Sequence, residues 1–157
     1  MTPRTWYRPI VFTQLPAGPE VRHGRSGGYH SGMVVGLGVD LVELSRVARA
    51  LERWGERFVG KLMDPGEAVH LPRATEERAV ALALAIAGKE ATSKALGTGW
   101  SWGVRWRDVV VELGPSPAVR LHARAAEAAR RLGSDGRTRV TLEVRGPLAV
   151  GQVWLLA

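Results

Sequence analysis

The succession of apolar patterns in this 157-residue chain predicts an α+β fold, with helices packed on a small, largely antiparallel sheet. Three features carry that prediction. A β-branched run opens at Val34, a long stretch rich in Ala, Leu and Val fills 78–96, and two strand-like segments close the chain across Gly146-Pro147.

The first 32 residues read as a flexible tail, with Pro3, Pro9, Pro16 and Pro19, a Gly-Arg-Ser-Gly-Gly cluster at 24–28 and no sustained periodicity. Met33 opens the first ordered pattern. The alternative is therefore that 1–32 is an upstream extension and that the functional chain begins there. Residues 33–157 form the one domain.

Val34, Val35, Leu37, Val39 and Leu41 read as a buried strand, which Asp40 and Glu43 interrupt near its end. Leu44, Val47, Leu51, Trp54 and Phe58 then recur at three- and four-residue steps, predicting one amphipathic helix. Asp64-Pro65-Gly66-Glu67 is a helix start: the aspartate caps, proline suits the first turn, and Glu67 reaches back as in a capping box. Thr75 with Glu76 and Glu77 marks another start, its acids near the positive end of the dipole. From Arg78 to Leu96 the chain is apolar nearly all round until Lys89, which predicts a central buried helix stopped at Gly97. Beyond it come a strand through Val109, Val110, Val111 and Leu113, a turn at Gly114-Pro115-Ser116-Pro117 and a short strand over 118–121. A helix over 122–132 and a hairpin of 140–144 with 148–155 complete the order.

Composition narrows the chemistry. The absence of cysteine excludes disulfides, thiolate catalysis and thiolate metal sites. No apolar run approaches the length that crosses a bilayer, so membrane partners are not expected and a cytoplasmic location is. The formal charge is +7, of which Arg4, Arg8, Arg22 and Arg25 against Glu20 leave +3 in the first 32 residues. The remaining +4 favours an acidic partner without indicating a nucleic-acid coat.

The most informative stretch is Ala87-Gly88-Lys89-Glu90-Ala91-Thr92-Ser93-Lys94-Ala95-Leu96-Gly97-Thr98-Gly99. It places a carboxylate and an ammonium one turn apart at the end of an apolar helix, before a turn of little side-chain bulk. As a surface pair, Glu90 and Lys94 would contribute only about 0.2–0.5 kcal/mol. With Asp40, however, Glu90 supplies two hard oxygen ligands of the kind Mg²⁺ takes alongside water and phosphate. Lys94 and the backbone amides of Gly97, Thr98 and Gly99 are the candidate phosphate contacts, although a plain helix C-cap also accounts for the turn. Trp100, Trp102 and Trp106, with Arg105 and Arg107 beside them, admit two readings: base-stacking platforms or core and subunit packing. The four histidines show no metal-ligand spacing.

From Met33 onward the chain resembles the holo-acyl-carrier-protein synthases, the small phosphopantetheinyl transferases. Four stretches carry the likeness: Val35 to Glu43 (Val-Gly-Leu-Gly-Val-Asp-Leu-Val-Glu) followed by Arg46; Leu62-Met63-Asp64-Pro65-Gly66-Glu67; Lys89-Glu90-Ala91 through Gly99; and Gly103-Val104-Arg105-Trp106-Arg107-Asp108. The resemblance implies transfer of the 4′-phosphopantetheine arm of coenzyme A to a serine of an acyl carrier protein, releasing adenosine 3′,5′-bisphosphate. It implies Mg²⁺ held by Asp40 and Glu90, with Lys94 steadying the phosphate charge or assisting proton transfer; since a hydroxyl nucleophile must also lose its proton, Glu90, directly or through a metal-bound water, is the expected base. It further implies Arg46 facing the acidic carrier and a homotrimer with active sites at subunit interfaces.

The chain departs from that pattern at three places. Leu84-Ala85-Ile86 stands where a cation usually binds coenzyme A phosphate, and Glu143-Val144-Arg145 where a Ser-His-like pair is usual. Gly114-Pro115-Ser116-Pro117 replaces a Gly-Lys-Pro turn. Arg145 and Arg105 are the cations that can substitute. Two other readings stand beside the transferase: a non-catalytic trimeric relative that binds carrier protein or nucleotide, and a basic nucleic-acid-binding protein.

Overall fold

The computed structural model describes residues 33–157, so the expectation for 1–32 lies outside the described residues. Strand β1 (Val34–Glu43) leads straight into helix α1 (Leu44–Trp54), followed by α2 (Glu56–Leu62), the four-residue α3 (Pro65–Ala68) and α4 (Thr75–Ala95). A 3₁₀ turn at Trp106–Asp108 precedes β2 (Val109–Glu112) and β3 (Ala118–Leu121). Helix α5 (Ala123–Arg131) and strands β4 (Thr138–Arg145) and β5 (Leu148–Leu156) complete the chain. The main sheet has the order β1-β5-β4 and is antiparallel throughout, while β2 and β3 form a separate antiparallel pair. The predicted α+β class holds.

Helix α4 is the axis of the core. Ala81 through Ala85, Ala87, Gly88, Ala91 and Ala95 are all buried along it, because the helix has β1 and β5 on one side and α1 and β2 on others. Its approach to the sheet is backbone against backbone. A Cβ on Gly38 would lie 1.9 Å from the Ala91 carbonyl oxygen, one on Gly36 2.3 Å from that of Ala95, and one on Gly151 2.5 Å from that of Ala87. Three glycines on two strands thus face three alanines spaced four apart on one helix. No larger residue fits at the three glycines unless strand and helix move apart.

That packing overturns the expectation of a buried first strand. Side chains alternate along a strand, so turning Gly36 and Gly38 inward turns Leu37, Val39 and Leu41 outward, where they are 56%, 44% and 59% exposed. β1 is an edge strand with an apolar outer face. The single helix expected through Phe58 is also interrupted. Gly55, at φ 49°, donates its N–H to Leu51 O and redirects the chain, so α1 and α2 are separate and Trp54 is half exposed.

The remaining punctuation follows the sequence closely. Asp64 accepts from Gly66 N at 2.8 Å and Glu67 accepts from Asp64 N, closing the capping box of α3. At α4 the N-cap is Ala74 and Thr75 is already helical, with Glu76 and Glu77 in the first turn. β4 and β5 pair down to Arg145 opposite Leu148, leaving the two-residue turn Gly146-Pro147.

Candidate active site

The inward face of β1 carries Gly36, Gly38 and, two residues on, Asp40. The close approach that the glycines permit therefore brings the Asp40 carboxylate to the C-terminal half of α4. Lys94 Nζ lies 2.7 Å from Asp40 Oδ1 and 3.0 Å from the Val39 carbonyl oxygen. The surface pair considered between Glu90 and Lys94 is not formed; the ammonium binds the strand. Glu90 instead accepts a hydrogen bond at 3.0 Å from Trp100 Nε1 through Oε2.

Asp40 and Glu90 line one cleft of about 960 Å³. Arg46, Arg49 and Arg53 of α1 line it too, as do Phe58 and Trp106. The carboxylates of Asp40 and Glu90 thus share the groove with three guanidinium groups of α1, among which Glu43 and Glu52 also stand. Such a groove suits an anionic ligand held by a cation between the acids, with an acidic macromolecule over the top.

The donor set fits magnesium. Lys94 occupies Asp40 Oδ1 and Trp100 occupies Glu90 Oε2, while no protein donor among the described residues reaches Asp40 Oδ2 or Glu90 Oε1. No group of three or more His, Cys, Asp or Glu suited to a metal occurs among the described residues. Mg²⁺ does not need one, since it commonly binds one or two carboxylates and completes its shell with water and substrate phosphate.

The Gly97-Thr98-Gly99 turn lies outside the residues lining this cleft. Gly97 N–H is spent on Lys94 O at 3.0 Å, as a helix cap, which corrects the expectation that this amide is open. The amides of Thr98 and Gly99 meet no protein acceptor among the described residues, and Thr98 Oγ1 donates to Gly99 O at 2.9 Å. Positive φ at Gly97 (68°) and Gly99 (55°) folds the chain back so that Trp100 runs alongside Glu90.

Sequence reasoning passed over Lys89 and Glu67 as functional supports. Lys89 is fully buried, and its Nζ donates to Glu67 Oε2 at 2.8 Å, to Trp106 O at 3.1 Å and to Val109 O. Glu67 Oε1 in turn accepts from Val111 N at 3.0 Å. Burial pulls the Lys89 ammonium below its usual pKa, and the Glu67 carboxylate opposes that pull. Three acceptors match the three N–H groups of the charged form. The signal was present, as a lysine placed in an otherwise apolar helix must find a buried partner.

Residues 36–144 match the family described as the 4′-phosphopantetheinyl transferase superfamily. The chain belongs to that superfamily. A holo-[acyl-carrier-protein] synthase of Solibacter usitatus (strain Ellin6076) is 42% identical over 79% of this chain and 98% of its own length. That of Halorhodospira halophila (strain DSM 244 / SL1) is 47% identical over 64% of this chain and 81% of its own. Among solved structures, the holo-[acyl-carrier-protein] synthase of Neisseria meningitidis superposes with a TM-score of 0.69 at 26% identity, covering 78% of this chain and 98% of that one. The synthase of Bacillus anthracis str. Ames, solved in complex with CoA (3′,5′-ADP), gives 0.59 at 25% identity, over 80% and 98%.

The places where this superfamily member departs from the pattern have clear structural settings. Ala85 is wholly buried against the core, so that position offers nothing to a ligand. Arg145 is paired with Glu143 at 3.0 Å and Arg105 with Asp108 at 3.1 Å, each guanidinium remaining largely exposed. Trp100 and Trp106 stack on each other with centroids 4.3 Å apart, which removes one face of each from any base-stacking role; Trp102 alone of the three is strongly exposed.

Proposed function

We infer that the chain transfers 4′-phosphopantetheine from coenzyme A to a serine hydroxyl of an acyl carrier protein, releasing adenosine 3′,5′-bisphosphate. The observation that carries this reading is the common cleft of Asp40 and Glu90, with Lys94 on Asp40 and Arg46 on the rim. The relatives' own designation as holo-acyl-carrier-protein synthases agrees with it.

The serine oxygen bonds to the phosphorus nearer the pantetheine, and the bond from that phosphorus to the bridging pyrophosphate oxygen breaks. Such a displacement depends on positioning and charge neutralisation more than on covalent help. Asp40 and Glu90 would hold Mg²⁺, which when bound supplies charge neutralisation on the pyrophosphate. Lys94 opposes the charge that builds on the departing phosphate, a role that its short tether to Asp40 prearranges. Glu90 takes the hydroxyl proton, directly or through an intervening water. Arg46, exposed beside the cleft, meets the acidic carrier. Lys94, with the Thr98 and Gly99 amides that meet no protein acceptor among the described residues, would contact coenzyme A phosphate that extends beyond the cleft.

The working unit in this reading is a cytoplasmic homotrimer. The apolar outer face of β1 supports it, since Leu37, Val39 and Leu41 are continuous with Trp154 of β5 through the Leu37–Trp154 pairing. No helix among the described residues is long and apolar enough to cross a membrane. The deciding experiment incubates the protein with coenzyme A, Mg²⁺ and an apo-carrier protein and reads intact mass. A carrier heavier by one phosphopantetheine is expected. An unmodified carrier overturns the transferase reading and leaves the non-catalytic one.

A further inference from the structure

We propose that Trp100 is a positioning residue for Glu90, holding one carboxylate oxygen so that the other is presented to the metal in a fixed orientation. The proposal rests on the transferase reading in one respect only: it takes Glu90 as a metal-facing acid.

The connection is a closed loop of contacts. Trp100 Nε1 donates to Glu90 Oε2 at 3.0 Å. The Trp100 ring lies on the Trp106 ring, 4.3 Å between centroids and 14° from parallel. The Trp106 carbonyl oxygen accepts from Lys89 Nζ at 3.1 Å, and Lys89 is the residue before Glu90. The helix that bears the carboxylate thus also anchors the platform that orients it. Glu67 fixes the far side of the loop, through its own bond to Lys89.

Several features accord with this role. Trp100 reaches Glu90 across a turn in which Gly97 and Gly99 adopt positive φ, conformations that other residues adopt rarely. An indole donor carries no charge, so it restrains the carboxylate without competing as a cation for it. A long acidic side chain loses rotational freedom when it binds a metal, and a donor that has already restricted it reduces that loss. Outer donors of this kind commonly change metal affinity by about 10- to 100-fold when removed.

The test compares Trp100→Phe, which keeps a stacking ring and removes only the N–H, with the parent protein. Mn²⁺ is titrated into each protein in the presence of coenzyme A, with free Mn²⁺ counted by electron paramagnetic resonance against coenzyme A alone. Melting temperature and KM for coenzyme A are measured alongside. The expected result is a Mn²⁺ Kd raised about tenfold, a matching rise in the Mg²⁺ needed for half-maximal rate, and an unchanged KM for coenzyme A. A purely structural role would lower the melting temperature and leave Mn²⁺ affinity alone.

Parent-like Mn²⁺ affinity in a folded Trp100→Phe overturns the proposal while leaving carrier modification intact. A parent protein that binds no Mn²⁺ overturns both it and the metal assignment. Should Trp100→Phe not fold, Glu90→Ala supplies the second measurement. The Trp100 indole proton, downfield in the parent ¹H–¹⁵N spectrum, is expected to move upfield in that variant, and an unmoved resonance overturns the contact.

Discussion

Lys94 Nζ sits 2.7 Å from Asp40 Oδ1, bound to an acid on a neighbouring strand and not to Glu90, the acid one turn before it on its own helix. The ion pair therefore spans the same two elements that would share the metal. Lys94 remains half exposed while Asp40 is largely covered, so the ammonium is the accessible partner. This makes Lys94 a group that meets solvent and ligand while its base is fixed by the fold. Lys94→Ala is expected to lower kcat/KM for coenzyme A by about 10²–10³-fold, the scale of losing one preorganised charge-stabilising donor. Steady-state carrier modification measures it, and an unchanged value excludes Lys94 from the chemistry.

Asp40→Asn separates the metal role from the ion pair, because the amide retains an oxygen that can accept from Lys94. Loss of the negative charge is expected to raise the Mg²⁺ concentration for half-maximal rate by about 10-fold or more, by analogy with losing a hard oxygen ligand's support. Arg46→Ala, by contrast, should raise KM for the carrier and leave that Mg²⁺ requirement alone. The two variants read different walls of one cleft. Identical profiles for both would contradict the division of labour.

The long helix, its stop at Gly97, the capping box at Asp64 and the final hairpin were all legible from periodicity and turn residues. The site was legible only through motif spacing, because Asp40 and Lys94 are brought together by the sheet and not by any local pattern. Two signals were under-read. Gly36, Gly38 and Gly151 carry no side-chain signal, yet Ala87, Ala91 and Ala95 repeat at the four-residue step of a helix face, and the two sets together describe a contact without side chains. Lys89 was read as part of a motif, although a cation in an apolar helix demands a buried counter-charge, which Glu67 provides. The edge position of β1 had no local signature, since a buried strand and an apolar interface strand share one composition.

Gly38→Ala tests that backbone contact. Its Cβ would stand 1.9 Å from Ala91 O, so strand and helix must separate, at a cost of about 3 kcal/mol. Asp40 then moves away from Lys94, and activity falls with stability. Gly60→Ala in α2 is the control: nothing lies within 4 Å of its added Cβ, and helix propensity should add about 0.5–1 kcal/mol. Urea denaturation reads both signs, and equal effects at the two positions would contradict the packing described.

Lys89→Met and Glu67→Leu each break the buried pair and leave polar groups without partners. Each is expected to cost about 3–5 kcal/mol. The double variant Glu67→Leu with Lys89→Met removes both charges at once and should cost clearly less than the sum, since the two groups interact directly. Additive losses in denaturant unfolding would mean that the pair acts as two independent groups.

The outer face of β1 gives the assembly its own test. Leu37 is 56% exposed on that outer face and lies three residues before Asp40, outside the residues that line the cleft, so a charge placed there disturbs the proposed interface without entering the site. An exposed apolar row on an edge strand is costly for a lone chain and stable once covered. Leu37→Glu is therefore expected to shift sedimentation from the proposed trimer to a monomer of 17.0 kDa while leaving the melting of the monomer's own core largely intact. Carrier modification should fall with the trimer fraction, and raising the protein concentration should restore part of it. A parent protein that sediments as a monomer and still modifies its carrier would show that one copy contains the complete site, and the apolar row would then need a different occupant.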